Sequence, residues 1–241
     1  ELDNNNSIAY NNRGNSKSDL ERYEEAIEDY NKAIELDNNY FDAYYNRGIT
    51  KYNLQRYEEA IEDCNKAIEL DNNYSNAYNN RGISKAALER YEEAIEDYNK
   101  AIELDNNYSN AYNNRGVSKA GLQLYEEAIE DYNKAIELDN NNSIAYNNRG
   151  LAKWNLQRYE EAIEDYNKAI ELDNNYSMAY YNRGILKAKS QRYEEAIEDY
   201  NKAIELDNND SNAYYNRGNS KLGLERYEEA IEDYNKAIEL D

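Results

Sequence analysis

The most constraining feature of this chain is a glycine that returns every 34 residues along the whole sequence. Each glycine stands in the tripeptide Asn-Arg-Gly, and the segment Tyr-Glu-Glu-Ala-Ile-Glu-Asp begins nine residues after it in every copy. The seven glycines are Gly14, Gly48, Gly82, Gly116, Gly150, Gly184 and Gly218. A fixed period of this length is typical of a solenoid, in which each unit buries its apolar face against its neighbours.

The period divides the chain into seven units, which we expect to form a single array over residues 1–241. The units are 7–40, 41–74, 75–108, 109–142, 143–176, 177–210 and 211–241. Residues 1–6 match the tail of a preceding unit, so we expect the chain to be a piece of a longer array.

Each unit reads as two helices joined by a short turn. In the second half, Tyr23, Ala26, Ile27, Tyr30 and Ala33 follow one another at steps of three, one, three and three, which places them on one helical face. The first half predicts a helix from about residue 9 to about residue 20, with the recurrent glycine inside it. Because glycine costs ~1 kcal/mol in a helix, its repetition indicates that a neighbouring helix approaches too closely for a side chain.

These residues resemble the tetratricopeptide repeat family. That family has the same period, with a large residue at Tyr10, small residues at Gly14, Ala26 and Ala33, and an aromatic residue at Tyr30. The pattern holds in all seven units, except that Cys64 replaces the aromatic residue in the second. The resemblance implies an all-α, right-handed superhelical solenoid of helix-turn-helix units with fourteen helices.

Three departures from the family pattern carry physical consequences. Arg13 and Lys17 stand where the family has leucine and tyrosine, and we expect their charged heads to reach the acidic second helix. Asn38 replaces the usual proline of the inter-repeat turn. Arg22 occupies the position before the second helix, where aspartate or serine would cap its N-terminus.

Composition excludes several classes of function. A net charge of −22 repels phosphate backbones and anionic membranes, so neither nucleic acid nor a membrane is an expected partner. The chain contains no histidine, the commonest general base, and no cofactor motif, so we expect neither an enzyme nor a bound cofactor. We expect Cys64 to be a buried thiol and the protein to be cytoplasmic.

The variable positions predict where a ligand binds. The resemblance places unit positions 2, 5, 6, 9, 12 and 13 on the inner, concave surface, and all but position 6 vary between units. Position 6 is always asparagine, whose amide can bond to a peptide backbone at both N–H and C=O. This pattern resembles the asparagine ladder in the tetratricopeptide repeats of O-GlcNAc transferase. The ladder comprises Asn12, Asn46, Asn80, Asn114, Asn148, Asn182 and Asn216.

Large rings at the variable positions are expected to anchor the ligand. They are Tyr45, Tyr52, Trp154, Tyr181 and Tyr215. The sequence therefore predicts a non-catalytic scaffold that binds an extended, neutral or basic protein segment. Two alternatives stay open: a structural module that stacks head to tail with other copies, and the adaptor part of a larger enzyme. A clamp for a C-terminal carboxylate is disfavoured, because positions 2 and 5 carry no lysine.

Overall fold

A computed structural model describes residues 6–241, and this part of the chain contains fourteen α-helices and no β-strand. The all-α repeat architecture predicted from the period is confirmed. Residues 1–5, assigned above to the tail of a preceding repeat, lie outside the described residues. The structure divides into two compact units, residues 6–124 and Tyr125–Asp241, with the division inside the fourth repeat.

The first unit holds seven helices. They are α1 (Ser7–Asp19), α2 (Tyr23–Leu36), α3 (Phe41–Asn53), α4 (Tyr57–Leu70), α5 (Ser75–Ala87), α6 (Tyr91–Leu104) and α7 (Ser109–Gly121). The first helix of a repeat therefore begins two residues earlier than the periodicity indicated. Odd-numbered helices are the first of each repeat, and consecutive ones, α1, α3, α5 and α7, contact one another.

The second unit also holds seven helices. They are α8 (Tyr125–Leu138), α9 (Ser143–Asn155), α10 (Tyr159–Leu172), α11 (Ser177–Lys189), α12 (Tyr193–Leu206), α13 (Ser211–Gly223) and α14 (Tyr227–Leu240). Here too the first helices of successive repeats, α9, α11 and α13, contact one another. In both units the first helices thus form a continuous layer of their own.

The recurrent glycine exists because a tyrosine ring lies directly on it. A Cβ atom added to Gly82 would come within 2.7 Å of the Tyr98 ring, which belongs to the second helix of the same repeat. Tyr98 is 1% exposed, so the ring has no room to retreat. The close approach predicted from the sequence is confirmed, and the ring, not the backbone, is what the glycine admits.

The second repeat departs from this arrangement. Cys64 stands in place of the ring and is 1% exposed, as expected for a buried thiol. A Cβ atom on Gly48 would meet its nearest neighbour, the Ala60 carbonyl oxygen, at 3.3 Å. Burial raises the pKa of the Cys64 thiol to about 12, so the thiol stays protonated at neutral pH.

An ion cluster around a buried aspartate joins the two helices in the first three repeats and in the last three. In the second repeat Arg47 donates two hydrogen bonds to Asp63, at 2.9 and 2.5 Å, and the Lys51 ammonium lies 2.8 Å from the same carboxylate. Arg47 also donates to Asn31 of the preceding repeat, at 2.6 Å, and lies over the Tyr44 ring. The expectation that the unusual arginine and lysine reach the second helix is therefore confirmed.

The turn within each repeat is held by backbone bonds despite an unfavourable residue. Arg22 N–H donates to the Lys17 carbonyl and Glu21 N–H to the Ser18 carbonyl, both at 2.9 Å, which is a Schellman ending for α1. Glu21 has φ 59°, a conformation that favours glycine. Arg22 makes no capping bond, as predicted, and its side chain instead binds Glu25.

The turn between repeats compensates for the missing proline with a side-chain bond. The Asn39 N–H donates to the Asp37 carboxylate at 3.0 Å, and the bond recurs between the equivalent residues after five later repeats. An aspartate that bonds to the backbone two residues on fixes a turn in the same way as a backbone bond. Asp37 thus orders this connection from its own side chain.

We predict that Gly82→Ala destabilises the protein by about 1–3 kcal/mol, because the new methyl overlaps the immobile Tyr98 ring. Gly48→Ala is the matched control. It faces a cysteine instead of a ring, and alanine gains ~1 kcal/mol in a helix, so its unfolding free energy should not fall. Urea denaturation followed by circular dichroism compares the two. Equal losses in both variants would contradict the ring-on-glycine account.

We predict that acid weakens the fold through the buried aspartates. The pKa of Asp29 is lowered by its hydrogen bond from Arg13, against the effect of burial. At Asp233 burial favours a higher pKa, but hydrogen bonds from Arg217 and Lys221 outweigh it and the pKa is lowered. A lowered folded-state pKa means that this stabilisation is complete above the unfolded value of about 3.9 and disappears as the pH falls through the folded-state value.

Asp233→Asn tests this at a single site. Asp233 is 3% exposed, so removing its charge leaves two cations without their partner and should cost about 3 kcal/mol at pH 7. The loss of stability between pH 5 and pH 2 should be smaller in the variant. Glu232→Gln, an exposed change of the same charge on the same helix, is the control. If both variants match the wild type at pH 7, the cluster does not stabilise the fold.

Candidate functional site

The candidate site is, in each of the two units, the face of the first-helix layer that carries positions 2, 5, 6, 9 and 12 of its repeats, here called the inner face. Several apolar side chains on it are exposed: Ile8, Val117, Ile144, Leu151, Met178 and Leu222. Ile8 is 58% exposed and Met178 is 50% exposed. The inner face therefore offers apolar contact area to a ligand.

The asparagines of position 6 bond to the preceding repeat. In the first unit Asn46 Nδ2 donates to Asn11 Oδ1 at 3.0 Å, and Asn114 Nδ2 donates to Asn79 Oδ1 at 3.1 Å. Burial raises the pKa of Tyr45 to about 12, and Asn80 of the next repeat, which lies close to the Tyr45 hydroxyl, opposes part of that rise. These amides thus have a structural partner in addition to any ligand.

The second unit repeats the arrangement. Asn182 Nδ2 donates to Asn147 Oδ1 at 3.0 Å, and Asn216 Nδ2 donates to the Tyr181 hydroxyl at 3.0 Å. Of the other ladder members, Asn148 is half-buried and Asn12 is exposed. An asparagine amide has two N–H donors and an oxygen that accepts two bonds, so one bond to the frame leaves donor and acceptor capacity.

Position 5 has a structural role that was not expected from the sequence. The position was expected on the exposed surface, yet Asn11, Asn79 and Asn147 are 3–4% exposed because each accepts the bond from the next repeat. A signal was present in the sequence: position 5 is asparagine or tyrosine in all seven repeats, and both can accept a hydrogen bond. Its variation is limited by this requirement.

The predicted aromatic anchors have different surroundings. Tyr215 is 53% exposed and is the freest of them. Tyr45, Tyr52 and Tyr181 are half-buried, and the Tyr45 ring centre lies 4.8 Å from that of Tyr74. The structure therefore brings three of the tyrosines to the inner face with only part of each ring accessible.

Trp154 is held in a different way. It packs against a buried cluster that includes Tyr166 and Leu186, on the boundary between the fifth and sixth repeats. Its indole Nε1 is buried and has no hydrogen-bond partner among the described residues. Trp154 therefore contributes to packing between repeats at least as much as to an accessible surface.

Family models for a repeat of this kind match most of the chain. The TPR repeat model matches residues 14–55, 84–123, 122–157 and 186–224. Tetratricopeptide repeat models match residues 41–74, 143–176 and 211–241, and also 165–198. The chain belongs to the tetratricopeptide repeat family. Of the residues quoted for the family pattern, Gly14, Ala26, Tyr30 and Ala33 are buried in this tetratricopeptide repeat protein, and Tyr10 is half-buried.

Solved structures show the same fold. The chain is similar to the MamA protein, with 28% identity and a TM-score of 0.60 over 69% of this chain and 91% of that one. It is also similar to YrrB, described as a TPR protein with an unusual peptide-binding site, with 26% identity and a TM-score of 0.57 over 76% of this chain and 95% of that one. None of the curated proteins is similar enough to the chain to count as a relative.

A third structure supports the fold alone. A tetratricopeptide repeat protein from Parabacteroides merdae ATCC 43184 is 21% identical, with a TM-score of 0.75 over 97% of this chain and 93% of that one. Over residues 6–241, every helix of this tetratricopeptide repeat array is too short or too polar to cross a membrane.

Proposed function

We propose that this chain is a non-catalytic scaffold that binds an extended segment of another protein along its inner face. The carrying observation is the asparagine of position 6, which recurs in every repeat and keeps hydrogen-bonding capacity beyond its bond to the frame. Neighbouring helices lie roughly 8–10 Å apart, and an extended peptide advances about 3.3 Å per residue. One asparagine then meets about every third residue of the ligand.

The ligand's side chains face the variable positions. Exposed apolar residues such as Val117 and Leu151, together with Tyr215, offer area for aliphatic or aromatic groups. The net charge of −22 favours a neutral or basic segment over an acidic one. The tetratricopeptide fold and the similarity to YrrB, whose description names a peptide-binding site, support this choice of function.

We predict that Asn114→Ala lowers the affinity for a peptide, selected for binding to the full chain, by about fivefold. This loss corresponds to the ~1 kcal/mol of one hydrogen bond. Fluorescence polarisation with the labelled peptide measures the affinity. Asn79→Ala is the matched control, because it removes the other partner of the Asn114–Asn79 bond and does not take the position-6 amide from the ligand. Asn79→Ala should bind the peptide within twofold of the wild type.

Two further results decide this test. If Asn79→Ala and Asn114→Ala weaken binding equally, the asparagine acts through the frame and the ladder is contradicted. The charge-matched pair Val117→Lys and Glu96→Gln then tests the location of the ligand, because Val117 is on the inner face and Glu96 is exposed on the second-helix face. If Glu96→Gln changes the affinity and Val117→Lys does not, the ligand binds on the second-helix face, which contradicts the proposal.

A second candidate function is head-to-tail assembly. On α14, Ile231 and Ile238 are 57% and 74% exposed, whereas their equivalents on α12, Ile197 and Ile204, are 6% and 9% exposed. Inside the array the next repeat covers this face, and in the proposed assembly the first helix of a second copy covers it instead. A contact of this kind does not close on itself and produces open chains of molecules.

We predict that the sedimentation coefficient rises with protein concentration, and more so in high salt, because salt screens the repulsion between highly charged copies. Ile238→Glu should abolish the rise, since it places a charge in the contact. Ile144→Glu, an equally drastic change on an exposed inner-face residue, should not. A single species at millimolar concentration in high salt would exclude assembly through this face.

A further inference from the structure

The second repeat contains a cavity of about 350 Å³ on the inner face, between α3, α4 and α5. Gly48, Cys64, Tyr45 and Tyr52 are among the residues that line it. Engineered cavities of about 150 Å³ are large enough to take up benzene. This cavity therefore has room for one aromatic ring.

The space has a template elsewhere in the same molecule. In the first and third repeats the Tyr30 and Tyr98 rings lie on the recurrent glycine and are 1% exposed. The second repeat keeps the glycine, Gly48, but has lost the ring, so the distance from an added Cβ to its nearest neighbour grows from 2.7 Å at Gly82 to 3.3 Å. The second repeat thus keeps the glycine that admits a ring, although its own sequence has no ring at this position.

A phenol in the second repeat would need its own hydrogen-bond acceptor. In the first repeat the Tyr30 hydroxyl donates to Asn15 Oδ1 at 2.9 Å, but the second repeat has Ile49 at the position of Asn15. Ser84 is 2% exposed and lines the cavity. Ser84 donates its own proton to the Asn80 carbonyl at 3.0 Å, which leaves its oxygen free to accept one.

The rest of the wall suits a neutral aromatic ligand. Ile49 and Ile83 supply apolar contacts and Asn80 a polar one, and within residues 6–241 no charged side chain lines the cavity. Position 12 is tyrosine in this repeat alone, at Tyr52, so the second repeat combines a lost ring with an added aromatic wall. An aromatic acid would bring its carboxylate into an uncharged cavity on a chain of charge −22, which disfavours it.

We propose that this cavity is a binding pocket for one neutral phenol ring, which lies against Gly48 and Cys64 and donates a hydrogen bond to Ser84. The ring replaces the tyrosine that the other repeats carry. It comes either from a tyrosine side chain of a protein segment on the inner face or from a free small phenol. The pocket does not depend on the asparagine ladder, because a free phenol has no peptide backbone.

The test uses 4-methylphenol, which is the tyrosine side chain without a backbone, and the full chain with labelled isoleucine methyl groups. The methyl signals of Ile49 and Ile83 should shift in a saturable manner, while those of the distant, exposed Ile144 should not. Cys64→Tyr should weaken binding at least tenfold, because it fills the cavity from within. Cys64→Ala keeps the cavity and removes the thiol, so it should bind within threefold of the wild type.

The filled variant is expected to fold. The sixth repeat already combines a tyrosine at position 5, Tyr181, with the buried Tyr200 ring, at a centre-to-centre distance of 6.1 Å. Cys64→Tyr should therefore raise the unfolding midpoint above that of the wild type. If Cys64→Tyr does not fold, Cys64→Phe fills the same space and takes its place in the comparison.

Two results would overturn the proposal: no saturable shift of the Ile49 and Ile83 methyl signals in the wild type, or equal affinity in the wild type and the filled variant. Competition then separates the two sources of the ring. Displacement of 4-methylphenol by acetyl-Gly-Tyr-Gly-amide, but not by acetyl-Gly-Ala-Gly-amide, identifies a tyrosine side chain as the ligand. If neither displaces it, the ligand is a free phenol. If 4-methylphenol binds as predicted but Asn114→Ala does not weaken peptide binding, the result counts against the proposed function and not against this pocket.

Discussion

The contact on which this structure depends is the tyrosine ring that lies on the recurrent glycine. It brings the two helices of a repeat so close that a single methyl group at Gly82 would overlap the Tyr98 ring. Because interiors are packed at near-crystalline density, the same spacing recurs wherever the pair occurs. The buried Arg–Asp–Lys cluster then fixes the rotation of one helix against the other, as Arg47, Asp63 and Lys51 do in the second repeat.

Most of this frame could be predicted from the sequence, because the period, the glycine and the apolar spacing are local and repeated. The sequence predicts that Arg13 and Lys17 pair with acidic residues, because the second helix is rich in them. It does not predict that the partner is Asp29, because that depends on the geometry of the two helices. The burial of Asn79 was not predictable from its polarity, because its bond to Asn114 spans two repeats. The packed state of Trp154 likewise depends on neighbours in the next repeat.

The candidate site shares its residues with the frame. Each position-6 asparagine with a bond described above uses one N–H to hold the preceding repeat, so the ladder that is proposed to bind a peptide consists of residues that also join the repeats. Variation between repeats is then concentrated where it does not disturb the frame, at exposed residues such as Met178 and Leu151 and at the ring-free base of the second repeat.

The most direct test of this account is a crystal structure of the chain with a peptide selected for binding. The account predicts an extended peptide on the first helices, with its backbone N–H and C=O groups within hydrogen-bonding distance of Asn114 or Asn182. The bonds from these asparagines to Asn79 and Asn147 should persist in the complex. A peptide that lies on the second helices, or one that contacts the inner face through side chains alone, would contradict it.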